Sequence, residues 1–93
     1  MNSKENLTLI EGCFSVEEAK EILTSIFSSK INFHKLRNLS AQVRSGKDDD
    51  IAQKRIPALK MEMEKLQLII AEAQAHNKKL MVNSTISITL VDE

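Results

Sequence analysis

Two long stretches of helical periodicity, separated by a short polar segment, constrain the fold of this chain most strongly. Apolar and small residues recur at alternating spacings of three and four, which is the period of one helix face. The first face consists of Ala19, Ile22, Ile26, Ser29, Phe33, Leu36, Ser40 and Val43, and the second of Ala52, Ile56, Leu59, Met63, Leu66, Ile70 and Ala73. Two long helices joined by so short a segment should pack as an antiparallel hairpin.

Residue types typical of helix ends set the limits of the first helix. Ser15 followed three residues later by Glu18 is the pattern of a capping box, in which each residue bonds the backbone of the other. Gly46 is typical of a left-handed helix terminator. We therefore predict helix 1 over residues 15–45 and a turn over residues 46–49.

The second helix is predicted over residues 50–77, with Asp50 and Gln53 as a candidate capping box. Pro57 leaves two alternatives open. It either kinks a helix that starts at residue 50, or it is the first residue of a helix that starts at 56–57.

Both ends of the chain carry strand patterns. A short apolar run predicts a strand over residues 7–13, and an apolar period of two predicts another over residues 80–91. Residues 1–6 are polar and are expected to be loose. The predicted fold is one α+β domain with the order β-α-α-β, a long antiparallel helical hairpin and a small sheet formed by the N- and C-terminal strands.

The predicted strands suggest self-association. The C-terminal strand is about twice as long as the N-terminal one, so half of its backbone groups would stay unpaired, and free apolar edges attract a second chain. A two-stranded sheet is also barely stable alone. Ile86, Ile88 and Leu90 form an apolar face, and we expect that two amphipathic helices do not cover it fully. We therefore predict a homodimer joined through the C-terminal strands.

A basic stripe on helix 1 is the one charge signal in the sequence. No acidic residue occurs between Glu21 and Asp48, although the whole chain balances 13 Lys and Arg against 13 Asp and Glu. The stripe consists of Lys30, His34, Arg37 and Arg44. Such a stripe can bind the phosphates of a nucleic acid or another polyanion, or it can be a solvated helix face.

No catalytic or metal-binding pattern stands out. Two glycines are too few for a dinucleotide-binding fingerprint, and one cysteine with two histidines is no zinc set. The aspartates at 48–50 lack the alternation of a calcium loop and suit a helix start. We therefore predict no cofactor, no metal and no enzymatic activity.

Compartment is predicted from the same composition. Cys13 is the only cysteine, which excludes an internal disulfide. The first nine residues lack the pattern of a signal peptide, and no apolar run approaches the ~20 residues of a membrane span. We expect a cytoplasmic protein without membrane contact.

The sequence thus favours a small non-enzymatic, homo-oligomeric interaction or adaptor protein. Two alternatives stay open. One is a nucleic-acid or polyanion-binding protein that uses the basic stripe. The other is a small enzyme or ligand binder with a site at the dimer interface, near His34 or Cys13.

Overall fold

The computed structural model describes residues 3–93 as a helical hairpin with a two-stranded sheet at its open end. The elements in chain order are strand β1 (Lys4–Phe14), helix α1 (Val16–Ser45), helix α2 (Asp50–Ala75) and strand β2 (Leu80–Thr89). The two strands pair antiparallel. The predicted α+β class, the β-α-α-β order and the sheet formed by the terminal strands are confirmed.

Local hydrogen bonds fix both ends of α1. The Ser15 hydroxyl accepts the Glu18 backbone N–H at 3.2 Å, and the Glu18 carboxylate accepts the Ser15 N–H at 3.1 Å. Gly46 has a φ of 70°, and its N–H donates to the Gln42 carbonyl at 2.8 Å. The predicted capping box and left-handed terminator are both confirmed, because each satisfies backbone groups that the helix itself leaves unpaired.

Helix α2 begins at Asp50 and contains Pro57, so the alternative start at 56–57 is wrong. The cap is Asp49 and not Asp50, since the Asp49 carboxylate accepts the Ala52 N–H at 2.9 Å. The Asp49 carbonyl also accepts the Gln53 N–H at 3.0 Å. These bonds hold the first turn, so the missing N–H of Pro57 removes one helical bond without ending the helix.

Helix α2 ends at Ala75, two residues before its predicted end at 77. Asn77 adopts a φ of 52°, and the next N–H, that of Lys78, donates to the Ala73 carbonyl at 2.8 Å. The Asn77 N–H donates to the Gln74 carbonyl at 3.4 Å. These two bonds form a Schellman motif, with asparagine in the left-handed position that glycine usually occupies.

Strand β1 is longer than the sequence predicts. It begins at Lys4, so residues 4–6 are not loose, whereas the first two residues of the predicted loose segment lie outside the described residues. Backbone pairing carries the strand through polar residues, and the Asn6 amide oxygen accepts the Ser87 hydroxyl at 2.6 Å. It also runs one residue past the predicted end, to Phe14.

Strand β2 is one unbroken strand that ends at Thr89 instead of residue 91. It pairs with β1 from Lys4–Thr89 to Phe14–Leu80, with one extra residue at Leu9 between two register positions. The predicted length mismatch is therefore wrong, and it cannot drive association. Each strand still has only one strand neighbour among residues 3–93.

Ile31, Ala52 and Leu59 are buried in the half of the hairpin nearer the turn, and one cluster of buried apolar residues lies at the open end. Its members are Val16, Leu66, Ile70 and Ala73, with Leu23, Phe27 and Leu80 packed against them. The protein measures 50 × 36 × 15 Å, so its shortest dimension is little more than the ~10–12 Å diameter of one helix. Within residues 3–93, neither helix combines the length and the apolarity that crossing a bilayer demands.

Candidate interaction surface

Near the turn, helix α2 packs on a different face of α1 from the one that the apolar period marks. The buried or half-buried residues in this part of α1 are Ile31, His34, Asn38 and Ala41. Their spacings of three, four and three place them on one helix face. We call this line the α1 seam, because it is the line of α1 that faces α2.

Hydrogen bonds around Asn38 account for this choice of face. The Asn38 amide oxygen accepts the Asp49 backbone N–H at 2.7 Å and the Gln53 amide at 3.4 Å. The Asp48 carboxylate accepts the Asn38 amide at 3.3 Å and the Gln42 amide at 2.6 Å. Together these bonds fix the rotation of α1 against the turn and the start of α2.

The consequence of this rotation is an exposed apolar line on the outside of α1. We call Phe33, Leu36, Leu39 and Val43 the α1 stripe. Leu36 is 67% exposed and Val43 is 79% exposed. Apolar side chains at helical spacing normally face a core. A contiguous exposed apolar surface of this kind marks an interaction site.

The sheet has a second apolar surface that the helices cover only in part. Alternate residues of a strand share a face, and directly opposed residues share it too. The face that begins with Leu80 on the core continues through Val82 to Ile86 and Ile88, with Leu7 opposite Ile86. Ile86 is 40%, Ile88 44% and Leu90 65% exposed. The predicted interface residues thus lie beyond the reach of the helices.

The four residues of the predicted basic stripe do not stay together. Lys30, Arg37 and Arg44 are exposed, whereas His34 is half-buried in the α1 seam. The Lys30 ammonium and the Arg37 guanidinium each lie 5.7 Å from the centre of the Phe33 ring. The His34 ring meets the same ring edge-on at 5.3 Å. The structure therefore sets two cations, Lys30 and Arg37, beside the α1 stripe and turns the histidine inward.

His34 also has an unsatisfied polar atom. Its Nδ1 is buried and has no hydrogen-bond partner among residues 3–93. An unpaired buried nitrogen is unfavourable, because it loses water without gaining a protein partner. The contacts of His34 make it a residue of the helix interface.

Charge is divided along the length of the hairpin. We call residues 30–61 the turn half, and it contains eight Lys and Arg against three Asp. The other described residues, 3–29 and 62–93, form the open half, which contains five Lys and Arg against ten Asp and Glu. The formal side-chain charges are therefore +5 and −5.

A depression between the two helices lies away from the α1 stripe. Residues of both helices line it: Lys20, Thr24, Gln67, Ile70, Ala71 and Gln74. At 100° per residue, Lys20 and Thr24 lie about 155° and about 115° around α1 from the middle of the α1 stripe. Substitutions in this depression are therefore suitable controls for substitutions in the α1 stripe.

Glu18 and Cys13 lie outside the surfaces described so far. Hydrogen bonds from the Ser15 backbone and hydroxyl lower the pKa of Glu18, because they favour its charged form. Cys13 is a free, exposed thiol in β1. Within the part of the chain that the structure describes, no three His, Cys, Asp or Glu side chains are grouped to hold a metal ion.

The chain matches no protein family, no curated protein and no solved structure.

Proposed function

We propose that this protein is a non-enzymatic interaction or adaptor protein whose working form is a homo-oligomer, in its simplest form a two-fold dimer. The observation that carries the proposal is the α1 stripe. Its four large apolar side chains are exposed and remain uncovered by residues 3–93. The outer part of the sheet, with Ile86 and Ile88, adds a second apolar surface of the same kind.

The surface area of the chain supports a contact of the size that a dimer needs. The accessible surface is 7532 Å², against about 5,400 Å² for a compact monomer of this mass. The excess of about 2,000 Å² lies within the ~1,000–2,500 Å² that each chain buries in an obligate homodimer. The radius of gyration agrees, at 16.8 Å against about 12 Å for a compact domain of this length.

The thinness of the protein supports the same proposal. Most domains consist of two packed layers around one core. This chain is 15 Å thick, and its two helices form a single layer. The α1 stripe lies about half a turn around α1 from the α1 seam, so a second copy docked there would pack α1 on the face opposite α2 and form a four-helix arrangement.

Sedimentation equilibrium tests the proposal directly. The wild type should have twice the chain mass of 10.5 kDa. Leu36→Glu and Val43→Glu should each weaken association about 100-fold, because each would bury an unpaired carboxylate in the contact. The matched control is Ala71→Glu, which adds the same charge in the depression between the helices, away from the α1 stripe, and should leave the mass unchanged. A wild-type monomer at high micromolar concentration would contradict the proposal.

Thermal unfolding of the wild type covers the case in which the variants do not fold. The unfolding midpoint of an oligomer rises with protein concentration by mass action, whereas that of a monomer does not. We expect the midpoint to rise over a hundredfold range of concentration. A constant midpoint over that range would contradict self-association without the use of any variant.

A second candidate function, the binding of a nucleic acid or another polyanion, is favoured by the charge of the turn half. Lys30, Arg37 and Arg44 project there, and all three are exposed. Binding to a short DNA or RNA duplex should weaken steeply as salt rises, because counterions are released on binding. The double variant Arg37→Glu/Arg44→Glu should abolish binding, whereas Lys20→Glu in the open half should not. Absence of binding at low salt would eliminate this candidate.

A further inference from the structure

On the basis of the homo-oligomer proposed above, we propose that two copies dock antiparallel through α1. The turn half of each copy then lies on the open half of the other, with the two-fold axis near Phe33. The occupant of the α1 stripe is thus a second copy of this chain. Three independent features of the sequence and the structure lead to this orientation: the spacing of the stripe, the sizes of its residues and the charge of the two halves.

The spacing of the outer face of α1 is nearly symmetric about Phe33. The face runs Ile22, Ile26, Ser29, Phe33, Leu36, Ser40 and Val43, with alternating steps of four and three. It therefore presents almost the same pattern from either end. A two-fold contact uses one patch on both copies and needs such self-complementarity.

The sizes of the residues fit only the antiparallel orientation. With the axis near Phe33, Leu36 of one copy lies opposite Ser29 of the second copy, and Ser40 lies opposite Ile26. A large side chain meets a small one at both levels. A parallel pairing would set Ser29 against Ser29 and Ser40 against Ser40, which leaves voids that close-packed interfaces avoid.

Accessibility is consistent with this contact. Ser29, Phe33, Leu36 and Ser40 are exposed, and Ile26 is half-buried. None of them belongs to the α1 seam, so docking on this face leaves the packing of α1 on α2 intact. The contact adds to the hairpin and does not replace it.

The charge of the two halves selects the same orientation. Away from the axis, the antiparallel dimer places the turn half, of net charge +5, on the open half, of net charge −5, twice. At the axis itself, Lys30 and Arg37 of the two copies lie near one another beside the Phe33 rings. A parallel dimer would place +5 on +5 and −5 on −5. Like charges brought together at an interface oppose binding, so charge patterns fix orientation more than they add affinity. Added salt should therefore weaken the antiparallel dimer. At physiological salt the Debye length is ~8 Å, so only charges that lie closer than this across the interface contribute much.

Distances between spin labels in the dimer test the orientation. Cys13 is the only cysteine, is exposed and lies at the open end, so the wild type takes one label there. The variant Cys13→Ser/Ser45→Cys takes its label at the turn end of α1. The two positions are separated within one chain by about 45 Å, the length of a 30-residue helix. Pulsed dipolar resonance is measured on labelled wild type alone and on a mixture of the two labelled proteins.

The expected result is a short distance between Cys13 of one copy and the Ser45→Cys site of the other. The distance between the two Cys13 labels should exceed it by about 20 Å or more, since these labels lie at opposite ends of a ~45 Å hairpin. A dimer whose Cys13 labels are the closer pair overturns the antiparallel contact, whether its copies are parallel or joined through β2. A monomeric mass with no distance between chains overturns the proposed function itself.

A residue swap tests the contact without labels. Ser29→Leu alone should overpack the interface, and Leu36→Ser alone should leave it underpacked, so each should weaken the dimer about tenfold or more. The double variant Ser29→Leu/Leu36→Ser exchanges the two members of each contact. It should restore the dissociation constant to within a few-fold of the wild type. If the double variant dimerises no more tightly than the single variant with the higher dissociation constant, the proposed contact is overturned.

Discussion

The open half and the turn half of this hairpin are held together by different interactions. In the open half, Leu66, Ile70 and the residues around them bury apolar surface between the helices and the sheet. The turn half also buries apolar residues, namely Ile31, Ala52 and Leu59. There, however, Asn38 adds hydrogen bonds between α1 and the start of α2, and Leu36 and its neighbours point outward. Apolar periodicity in a sequence marks surface that must be buried, but it does not say whether the same chain or another one buries it.

The first way to test this difference is to truncate the core of the open half. Leu66→Ala should lower the free energy of unfolding by about 3 kcal/mol, because Leu66 is only 8% exposed and its loss leaves a cavity. The matched control is Leu68→Ala on the same helix, where the side chain is 73% exposed and the change should stay within about 0.5 kcal/mol. Urea denaturation at one fixed protein concentration measures both. Equal effects would show that the open half has no special core.

Removal of the Asn38 side chain tests the turn half. Asn38→Ala leaves the Asp49 N–H without its partner and should cost about 1–2 kcal/mol of unfolding free energy. Asn32→Ala is the control, since Asn32 is an exposed residue of the same helix. The same denaturation experiment applies. If both variants are as stable as the wild type, the hydrogen bonds of Asn38 do not hold the turn half.

A substitution at His34 is expected to stabilise the protein, unlike the two changes above. His34→Leu should raise the free energy of unfolding by about 1 kcal/mol, because it removes a buried nitrogen that has no partner among residues 3–93. His34→Gln keeps polar atoms at the same place and should bring no gain. A loss of stability in His34→Leu would mean that the ring nitrogen is paired in solution.

The smallest expected effect concerns the cap of α1 in the open half. The pKa of Glu18 is lowered in the folded state, so the unfolded chain takes up this proton first as the pH falls. The stabilisation is present above the ordinary glutamate pKa of 4.5 and is lost as the pH falls through the lower folded value. Glu18→Gln should remove this part of the acid dependence of stability.

Ser15→Ala provides the matching test, since it removes the Ser15 hydroxyl, the smaller of the two Ser15 contributions that lower the pKa of Glu18, and keeps the backbone N–H, which is the larger one. Chemical denaturation between about pH 3 and pH 7 measures the slope of stability for each variant. Ser15→Ala should therefore remove only part of the slope that Glu18→Gln removes, and the double variant should behave as Glu18→Gln alone. An unchanged slope in both variants would refute the contribution of the capping box.

The sequence by itself determined the local structure. Ser15 with Glu18, and Gly46, set the ends of α1 because caps are bonds between residues three or four positions apart. The apolar periods identified both helices and β2, and the short polar segment made the helices antiparallel. The order of the elements followed, and with it the pairing of the terminal strands.

Only the tertiary structure decided which face of α1 meets α2. The apolar period favoured the face of Phe33 and Leu36, whereas bonds from Asn38 to residues 48–53 set the rotation that buries His34 instead. The length of β1 was likewise decided across the sheet, since polar Asn6 is held by Ser87, 81 positions away. An apolar period describes only the residues of one helix or strand. The rotation of α1 and the length of β1 depend on polar partners far along the chain, so no local pattern predicts them.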